Sequence, residues 1–105
     1  MTTHTYWASI GRDTTYGGTL CQYDWERFAD RLATVIVTHG GEIVATVDGA
    51  SQWQGQPEDT HLALFTIDGA EVSELRAHLA IVASRYHQEA IGLVGGPGVT
   101  LVYSA

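Results

Sequence analysis

The spacing of apolar residues along this chain alternates between the period of two typical of β-strands and the period of 3.6 typical of α-helices. The segment THTYWASIG, residues 3–11, places Tyr6, Ala8 and Ile10 on one face, which predicts a first strand. Such alternation predicts a mixed fold in which strands and helices pack around a common core.

Two later segments have helical periodicity. The first runs from about Gln22 to Val37 and is ended by His39, Gly40 and Gly41. The second begins at Asp68, where Glu71 stands three residues on, a spacing that predicts reciprocal capping of the helix start. The apolar stripe of the first helix consists of Trp25, Phe28, Ala29, Leu32, Ala33 and Ile36, and that of the second consists of Val72, Leu75, Leu79, Val82, Ala83 and Tyr86.

The remaining apolar segments predict strands. EIVATV, residues 42–47, and HLALFTI, residues 61–67, predict a hairpin with a turn at DGAS, residues 48–51, and a long or bent connection between the strands. EAIGLV and VTLVYS, joined by GGPG, predict one or two closing strands. The resulting order predicts a single α+β domain over residues 1–105, with the ferredoxin-like β-α-β-β-α-β layout, an antiparallel sheet with both helices on one face, and a possible extra C-terminal strand.

Two helices cover only one face of such a sheet, and the strands carry apolar residues for both faces. One set is Trp7, Leu62, Leu64, Ile91, Leu93 and Val102, and the other is Tyr6, Ala8, Ala63, Phe65, Ala90 and Leu101. An apolar open face predicts either a homodimer, which is the favoured interpretation, or a ligand groove closed by loops.

The charge balance narrows the classes of partner. The chain has 12 acidic and 5 basic residues, a formal charge of -7 and a pI near 4.9, which argues against a nucleic-acid partner. The sequence has neither a signal-peptide pattern nor a membrane-spanning apolar stretch, so we expect a cytoplasmic protein without a membrane partner. All basic residues are arginines, and lysine and asparagine are absent, which suggests a GC-rich genome such as that of an actinobacterium or its phage.

Several short motifs occur in a recognisable order: SIGR, YDWERF, GASQW, EDT and RYHQEAIGLV. Together they resemble a family of small uncharacterised bacterial and phage proteins. In that family a strand ends in Phe-Gly-Arg or similar, a helix carries Trp-x-x-Phe, a Gly-x-x-Trp turn precedes a glutamate, and the pattern closes with Phe-x-Gln-Glu-Ser. The resemblance extends from Tyr6 to Val94, with Ala90 where a serine is usual. Many members look exported or lipid-anchored, and the family implies no function.

No complete catalytic or cofactor motif is present. The glycine-rich loop GRDTTYGGT has neither Walker nor dinucleotide spacing, although Arg12 is suited to hold a phosphate or carboxylate. The only cysteine, Cys21, excludes cysteine-pair zinc motifs. No two histidines have the spacing of a helical metal pair, so we expect no metal and no cofactor. For acid-base chemistry, the candidates are Glu58, Asp59, His87 and Glu89.

The stretch SQWQGQPEDT, residues 51–60, contains Trp53 and the acidic pair Glu58 and Asp59, none of which a turn requires. Trp53 either caps the core or stacks on a planar ligand whose edge is bound by Glu58 and Gln88. In the second interpretation Arg12, Trp53, Glu58, Gln88 and Glu89 converge on one pocket, and Asp59 is a further candidate ligand-binding residue.

Three functions remain open. The first is a dimeric module that binds a small anionic or planar ligand or a protein partner. The second is an acidic phage-encoded inhibitor of a host protein. The third is a small dimeric enzyme that uses a carboxylate or histidine base.

Overall fold

The computed structural model describes residues 2–53, 55–95 and 98–105, without the side chains of residues 51–53, 56, 98 and 99. Five strands and two helices follow the expected order, with one 3₁₀ turn before the second helix. They are β1 (Thr3–Gly11), α1 (Gln22–Thr38), β2 (Glu42–Trp53), β3 (Gln56–Asp68), the 3₁₀ turn (Gly69–Glu71), α2 (Val72–Arg85), β4 (Ala90–Gly95) and β5 (Gly98–Tyr103). None of these helices is both long enough and apolar enough to cross a membrane.

The strands form one antiparallel sheet in the order β2-β3-β1-β4-β5. The first four strands in sequence occupy the positions of a ferredoxin-like fold, and β5 extends the sheet beside β4. The predicted fold class, including the extra C-terminal strand, is therefore confirmed. Strand β1 is central and antiparallel to both of its neighbours, so its C-terminal end lies beside the N-terminal ends of β3 and β4.

The hydrophobic core lies between the sheet and both helices. Strand β1 contributes Tyr6, Ala8 and Ile10, as its alternation predicts, and they pack against Phe28 and Leu79 among others in one continuous cluster of buried residues. Ile91, Leu93 and Val102 are also buried in this cluster, so they share the face of Tyr6 rather than that of Trp7. Burial of this single cluster supplies the main driving force for the fold.

Both helices end in the same hydrogen-bonded arrangement. After α1, the N–H of Gly41 donates to the Ile36 carbonyl and that of Gly40 to the Val37 carbonyl, with Gly40 at φ 81°. This is a Schellman motif, in which the residue after the C-cap adopts a left-handed conformation. The same motif ends α2, but the left-handed position is occupied by His87, at φ 56°. A non-glycine residue there is strained.

The predicted start of α2 is only partly right. The Asp68 carboxylate does act as a cap, since it accepts a hydrogen bond from the Ala70 N–H at 3.1 Å. That bond caps the 3₁₀ turn, however, and α2 begins at Val72 with Glu71 as an N-cap that makes no side-chain capping bond. The reciprocal capping arrangement predicted from Asp68 and Glu71 is therefore wrong.

The predicted DGAS turn is also wrong. Residues 48–51 lie within β2, which pairs with β3 from Glu42 opposite Thr66 to Trp53 opposite Gln56. Strand β1 covers β3 only from Thr60 onward. Residues 50–53 and 56–59 therefore extend past the sheet as a two-stranded segment, which we call the β2–β3 arm.

The sheet face opposite the helices carries apolar side chains. Trp7 lies opposite Leu64 on one side and Val94 on the other, and Leu62 lies opposite Val47. Val47 and Val94 are 49% and 40% exposed, whereas Trp7 and both leucines are half-buried. Cross-strand partners share a face, so these residues form a continuous apolar surface, which we call the open face.

Candidate functional site

The end of β1 brings together the segments that carry most of the predicted site residues. The Arg12 N–H donates to the Asp59 carbonyl at 3.0 Å, which extends the β1–β3 pairing by one residue. Farther along, the Thr15 N–H donates to the His87 carbonyl at 2.8 Å, in the turn just before β4. The loop between β1 and α1 is thus fixed to both neighbouring strands at one end of the sheet.

Glu58 is the half-buried carboxylate at this end. Its Oε2 accepts a hydrogen bond from the Asp13 N–H at 2.9 Å, and its carboxylate lies against Gly11, where a Cβ would collide with it. Burial raises the pKa of Glu58 above its ordinary value of 4.5; the Asp13 N–H bond opposes this rise, and the Asp13 charge adds to it. Because Gly11 shares the face of Trp7, the Glu58 carboxyl lies on the open-face side of the sheet.

Asp59 points the other way, towards the side of the sheet that α1 covers. Its Oδ2 lies 3.3 Å from the Arg12 guanidinium. Arg12 Nε also donates to the Leu20 carbonyl at 2.7 Å, so the arginine connects β3 with the residue that precedes α1 by two positions. Asp59 is 62% exposed in its side chain and Arg12 21%, so water screens this ion pair and its net stabilisation is small.

An open cleft of about 450 Å³ lies between the N-terminal half of α1 and the strands β2 and β3. Trp25 is half-buried in its wall, and His61 bonds Asp48 across the strands, with Nδ1 2.7 Å from the Asp48 Oδ1. The lining residues are Gln22, Trp25, Glu26, Ala29, Asp30, Asp48, Gly49, Asp59, Thr60 and His61. Four of these residues carry carboxylates, and one of the four, Asp59, pairs with Arg12 at the edge of the cleft. Because negative charge predominates, the cleft favours a positively charged ligand.

The other predicted site residues lie on the far side of the end of β1. Gln88 is buried at 4% exposure, and its side-chain amide donates to the Tyr86 carbonyl at 3.2 Å. Glu89 is exposed, and its carbonyl accepts the Ser104 N–H. The backbone of Trp53 pairs with Gln56 at the tip of the arm, and its side chain lies outside the described part of the chain.

The structure therefore pairs Arg12 with Asp59 and places Glu58 next to them, bonded to the Asp13 N–H. Gln88 and Glu89 lie on the other side of the end of β1. The two acids of the pair nevertheless lie on opposite faces of the sheet. No motif in the sequence predicts the wall of the cleft, in particular Trp25, Asp48 and His61. Two signals were available: Gln22, Glu26 and Asp30 recur every four residues along the helix that carries Trp25, and Asp48 and His61 each adjoin an apolar strand.

No family model and no curated protein matches this sequence. Solved structures do match. The 30S ribosomal protein S6 from Thermotoga maritima is similar with a TM-score of 0.70 and 13% identity, over 90% of this chain and 89% of that one. A phage SAM lyase in complex with S-methyl-5'-thioadenosine has a TM-score of 0.60 and 13% identity, over 97% and 90%. The same lyase in its apo state has a TM-score of 0.62 and 10% identity, over 96% and 89%. At such identities these likenesses show the fold alone.

Proposed function

We propose that the cleft binds a compact organic cation that carries a planar group, of the sulfonium-nucleoside class to which S-adenosylmethionine belongs. The observation that carries this proposal is the set of four carboxylates around Trp25: Glu26, Asp30, Asp48 and Asp59. A cation gains from all of these charges, and a planar or cationic group also gains from the face of a tryptophan. The same charges disfavour the anionic ligand suggested by Arg12 alone.

The size of the cleft and the fold both support a ligand of this class. A volume of about 450 Å³ lies within the usual range for small-molecule sites. The phage SAM lyase of similar fold holds an adenine nucleoside, which guides the choice of test ligand for this chain without assigning one.

Isothermal titration calorimetry tests the proposal with two ligands that differ in charge at one atom. S-adenosylmethionine carries a sulfonium, whereas S-adenosylhomocysteine carries a neutral sulfur. We expect the former to bind at least several-fold more tightly, because a charge pair near a protein surface contributes on the order of 1 kcal/mol. Glu26→Gln and Asp30→Asn should each reduce this preference, and Glu42→Gln, an exposed acid outside the cleft lining, should leave it unchanged.

Equal binding of the two ligands, or binding unaffected by both cleft substitutions, would contradict the cation site. If neither ligand binds, the alternative of an acidic surface that inhibits a host protein becomes the better explanation of the charge.

A second candidate function is cleavage of the same ligand class with Glu58 as base. Because Glu58 lies on the open-face side of the sheet and does not line the cleft, this function requires the ligand to bind beside Glu58 and not in the cleft. The specific observation is that this carboxylate is half-buried and has a raised pKa, which is the usual preparation of a carboxylate for proton transfer at neutral pH. Release of S-methyl-5'-thioadenosine breaks the bond from sulfur to the amino-acid chain, and both electrons of that bond go to sulfur. If Glu58 removes a proton from the adjacent carbon, a double bond forms there and the product is an unsaturated amino acid.

Incubation of the protein with S-adenosylmethionine, followed by mass spectrometry of the products, tests this second function. An unsaturated amino acid whose formation is lost in Glu58→Gln supports Glu58 as the base. A lactone would mean that the carboxylate of the substrate itself displaced the sulfur, and Glu58 would then not be the base. Absence of turnover, with S-adenosylmethionine still bound, would leave a binding module only.

We infer further that the protein self-associates through the open face. Five apolar side chains of this face, Trp7, Val47, Leu62, Leu64 and Val94, lie in cross-strand contact positions without a covering element among the described residues. Contiguous exposed apolar surface of this kind is uncommon on monomers. A second copy offers a face of the same composition, and a two-fold arrangement buries both faces at once.

A further inference from the structure

The C-terminal end of α1 and the start of α2 bring three metal-binding side chains together. His39 is the C-cap of α1, Glu71 ends the 3₁₀ turn, and Glu74 lies in the first turn of α2. One ligand atom from each of the three residues lies within 4.8 Å of the other two. We propose that His39, Glu71 and Glu74 bind a divalent transition-metal ion of the Zn²⁺ type, with a fourth position open to water.

A second histidine holds His39 in place. His78 Nδ1 lies 3.1 Å from His39 Nε2, and the two rings meet edge to face. His78 follows Glu74 by four residues, so both project from the same face of α2. A histidine that binds a metal through one ring nitrogen usually engages a fixed partner through the other, and that partner sets the ring orientation. His78 is therefore a positioning residue for His39.

The local charges also favour a cation. The C-terminus of an α-helix carries partial negative charge, and the last turn of α1 contains no basic residue. The Glu71 and Glu74 carboxylates add to this charge, and the chain has a formal charge of -7. One imidazole and two carboxylates form a donor set that suits Zn²⁺ and neighbouring divalent metals.

This site is separate from the cleft. The cleft is lined by the N-terminal half of α1, from Gln22 to Asp30, whereas His39 follows the last residue of the same helix. A helix of 17 residues is about 25 Å long. An ion at His39 would link the end of α1 to the start of α2, so its binding should be measurable as stabilisation without any ligand in the cleft.

Calorimetric titration of the chelator-treated protein with ZnCl₂ tests the proposal. We expect one ion per chain and a rise of several degrees in the melting temperature at saturating metal. His39→Asn, which keeps a polar C-cap, should weaken binding at least tenfold, as should the charge-removing pair Glu71→Gln and Glu74→Gln. His78→Ala should weaken binding by about 10-fold to 100-fold, in the range found for residues that orient metal ligands.

The control variant is His61→Ala, which removes a histidine bonded to the Asp48 carboxylate in the wall of the cleft. It should leave Zn²⁺ binding unchanged. Co²⁺ substitution supplies a readout independent of stability, because its visible absorption reports direct ligation and should be lost in His39→Asn. Three results would each overturn the site: no binding at 100 µM metal, binding that survives His39→Asn, or binding lost in His61→Ala.

Discussion

The carboxylate of Glu58 occupies the space that a side chain at Gly11 would need. The last backbone bond between the two segments runs from the Arg12 N–H to the Asp59 carbonyl. The next N–H along the chain, that of Asp13, donates to the Glu58 carboxylate instead. Residue 11 has no positive φ angle, so its backbone conformation does not require a glycine. The reason for a glycine at this position is the space that the Glu58 carboxylate occupies.

Gly11→Ala should destabilise the protein by displacing Glu58 from the Asp13 N–H. The expected loss is about 1 kcal/mol, the usual net contribution of one such hydrogen bond. In the Glu58→Ala background, where the carboxylate is already absent, the same substitution should cost much less. Urea denaturation of the four proteins gives the coupling energy directly, and a coupling near zero would show that the two residues do not compete for space.

The raised pKa of Glu58 predicts a specific dependence of stability on pH. The folded protein holds the Glu58 proton to a higher pH than the unfolded chain does, so it binds more protons above the ordinary pKa of 4.5. Stability should therefore fall as pH rises through this window. The contribution of Glu58 is most favourable below the window and least favourable above it.

Glu58→Gln, which cannot titrate, should gain stability relative to the parent protein as pH rises from about 4 to about 7. The measurement is urea denaturation of both proteins at several pH values. Asp59→Asn is the control at the neighbouring, mostly exposed carboxylate. A difference between the Glu58→Gln and parent proteins that does not change with pH would argue against the raised pKa.

His87 is held at φ 56° at the end of α2, and its ring packs on Tyr16 with a centroid separation of 4.9 Å. A glycine there removes the steric strain but also the ring contact. We therefore expect His87→Gly to stabilise the Tyr16→Ala protein by about 1 kcal/mol, the cost of a left-handed conformation for a non-glycine residue. Thermal denaturation of the two proteins checks the sign, and a loss of stability would show that His87 makes another favourable contact.

The start of α1 lacks a side-chain cap. Cys21 has the extended backbone conformation of an N-cap but makes no side-chain hydrogen bond to the helix. Cys21→Ser should therefore stabilise the protein by about 0.5 to 1 kcal/mol, because a hydroxyl accepts from a free backbone N–H in the first turn. Cys21→Ala supplies the control without an oxygen, and it should remain below the serine variant in thermal denaturation.

Self-association through the open face predicts that a charge introduced there lowers the molar mass in solution. Val94→Asp places a carboxylate beside Trp7 on this face, whereas Ile81→Asp places one on α2, at a residue that is also largely exposed. Light scattering after gel filtration should give a monomer for the first variant and an unchanged oligomer for the second. A parent protein that is already monomeric at all concentrations would exclude this interface.

The sequence was sufficient for the ferredoxin-like layout because each element has a clear apolar period. It was insufficient for the length of the hairpin. Asp48 and Gly49 are strong turn residues, yet both pair with β3, at His61 and Thr60. The local preference is outweighed there by a ladder that continues to Trp53 and by the Asp48–His61 contact. Pairing partners are tertiary information, which local periodicity does not contain.

The candidate site was predictable to a smaller extent. Residue type alone predicts Arg12, Glu58 and Asp59 as site residues, and the order of the strands places them together. The cleft and the proposed metal site combine residues far apart in sequence, for example His39 with Glu74. The available signal was the spacing of Glu71, Glu74 and His78 from the 3₁₀ turn along one face of α2, but the partner from the end of α1 is known only once the helices are packed.

The opposite directions of Glu58 and Asp59 restrict how the length of this chain can change in evolution. Insertions at the hairpin tip, before Pro57, leave both carboxylates where they are. One residue inserted between Asp59 and Leu62 would move the Glu58 and Asp59 side chains each to the opposite face of the sheet. A second inserted residue would return both side chains to their original faces. We therefore expect related sequences to tolerate insertions of any length at the tip of this hairpin. Near its base, insertions and deletions should occur in multiples of two residues.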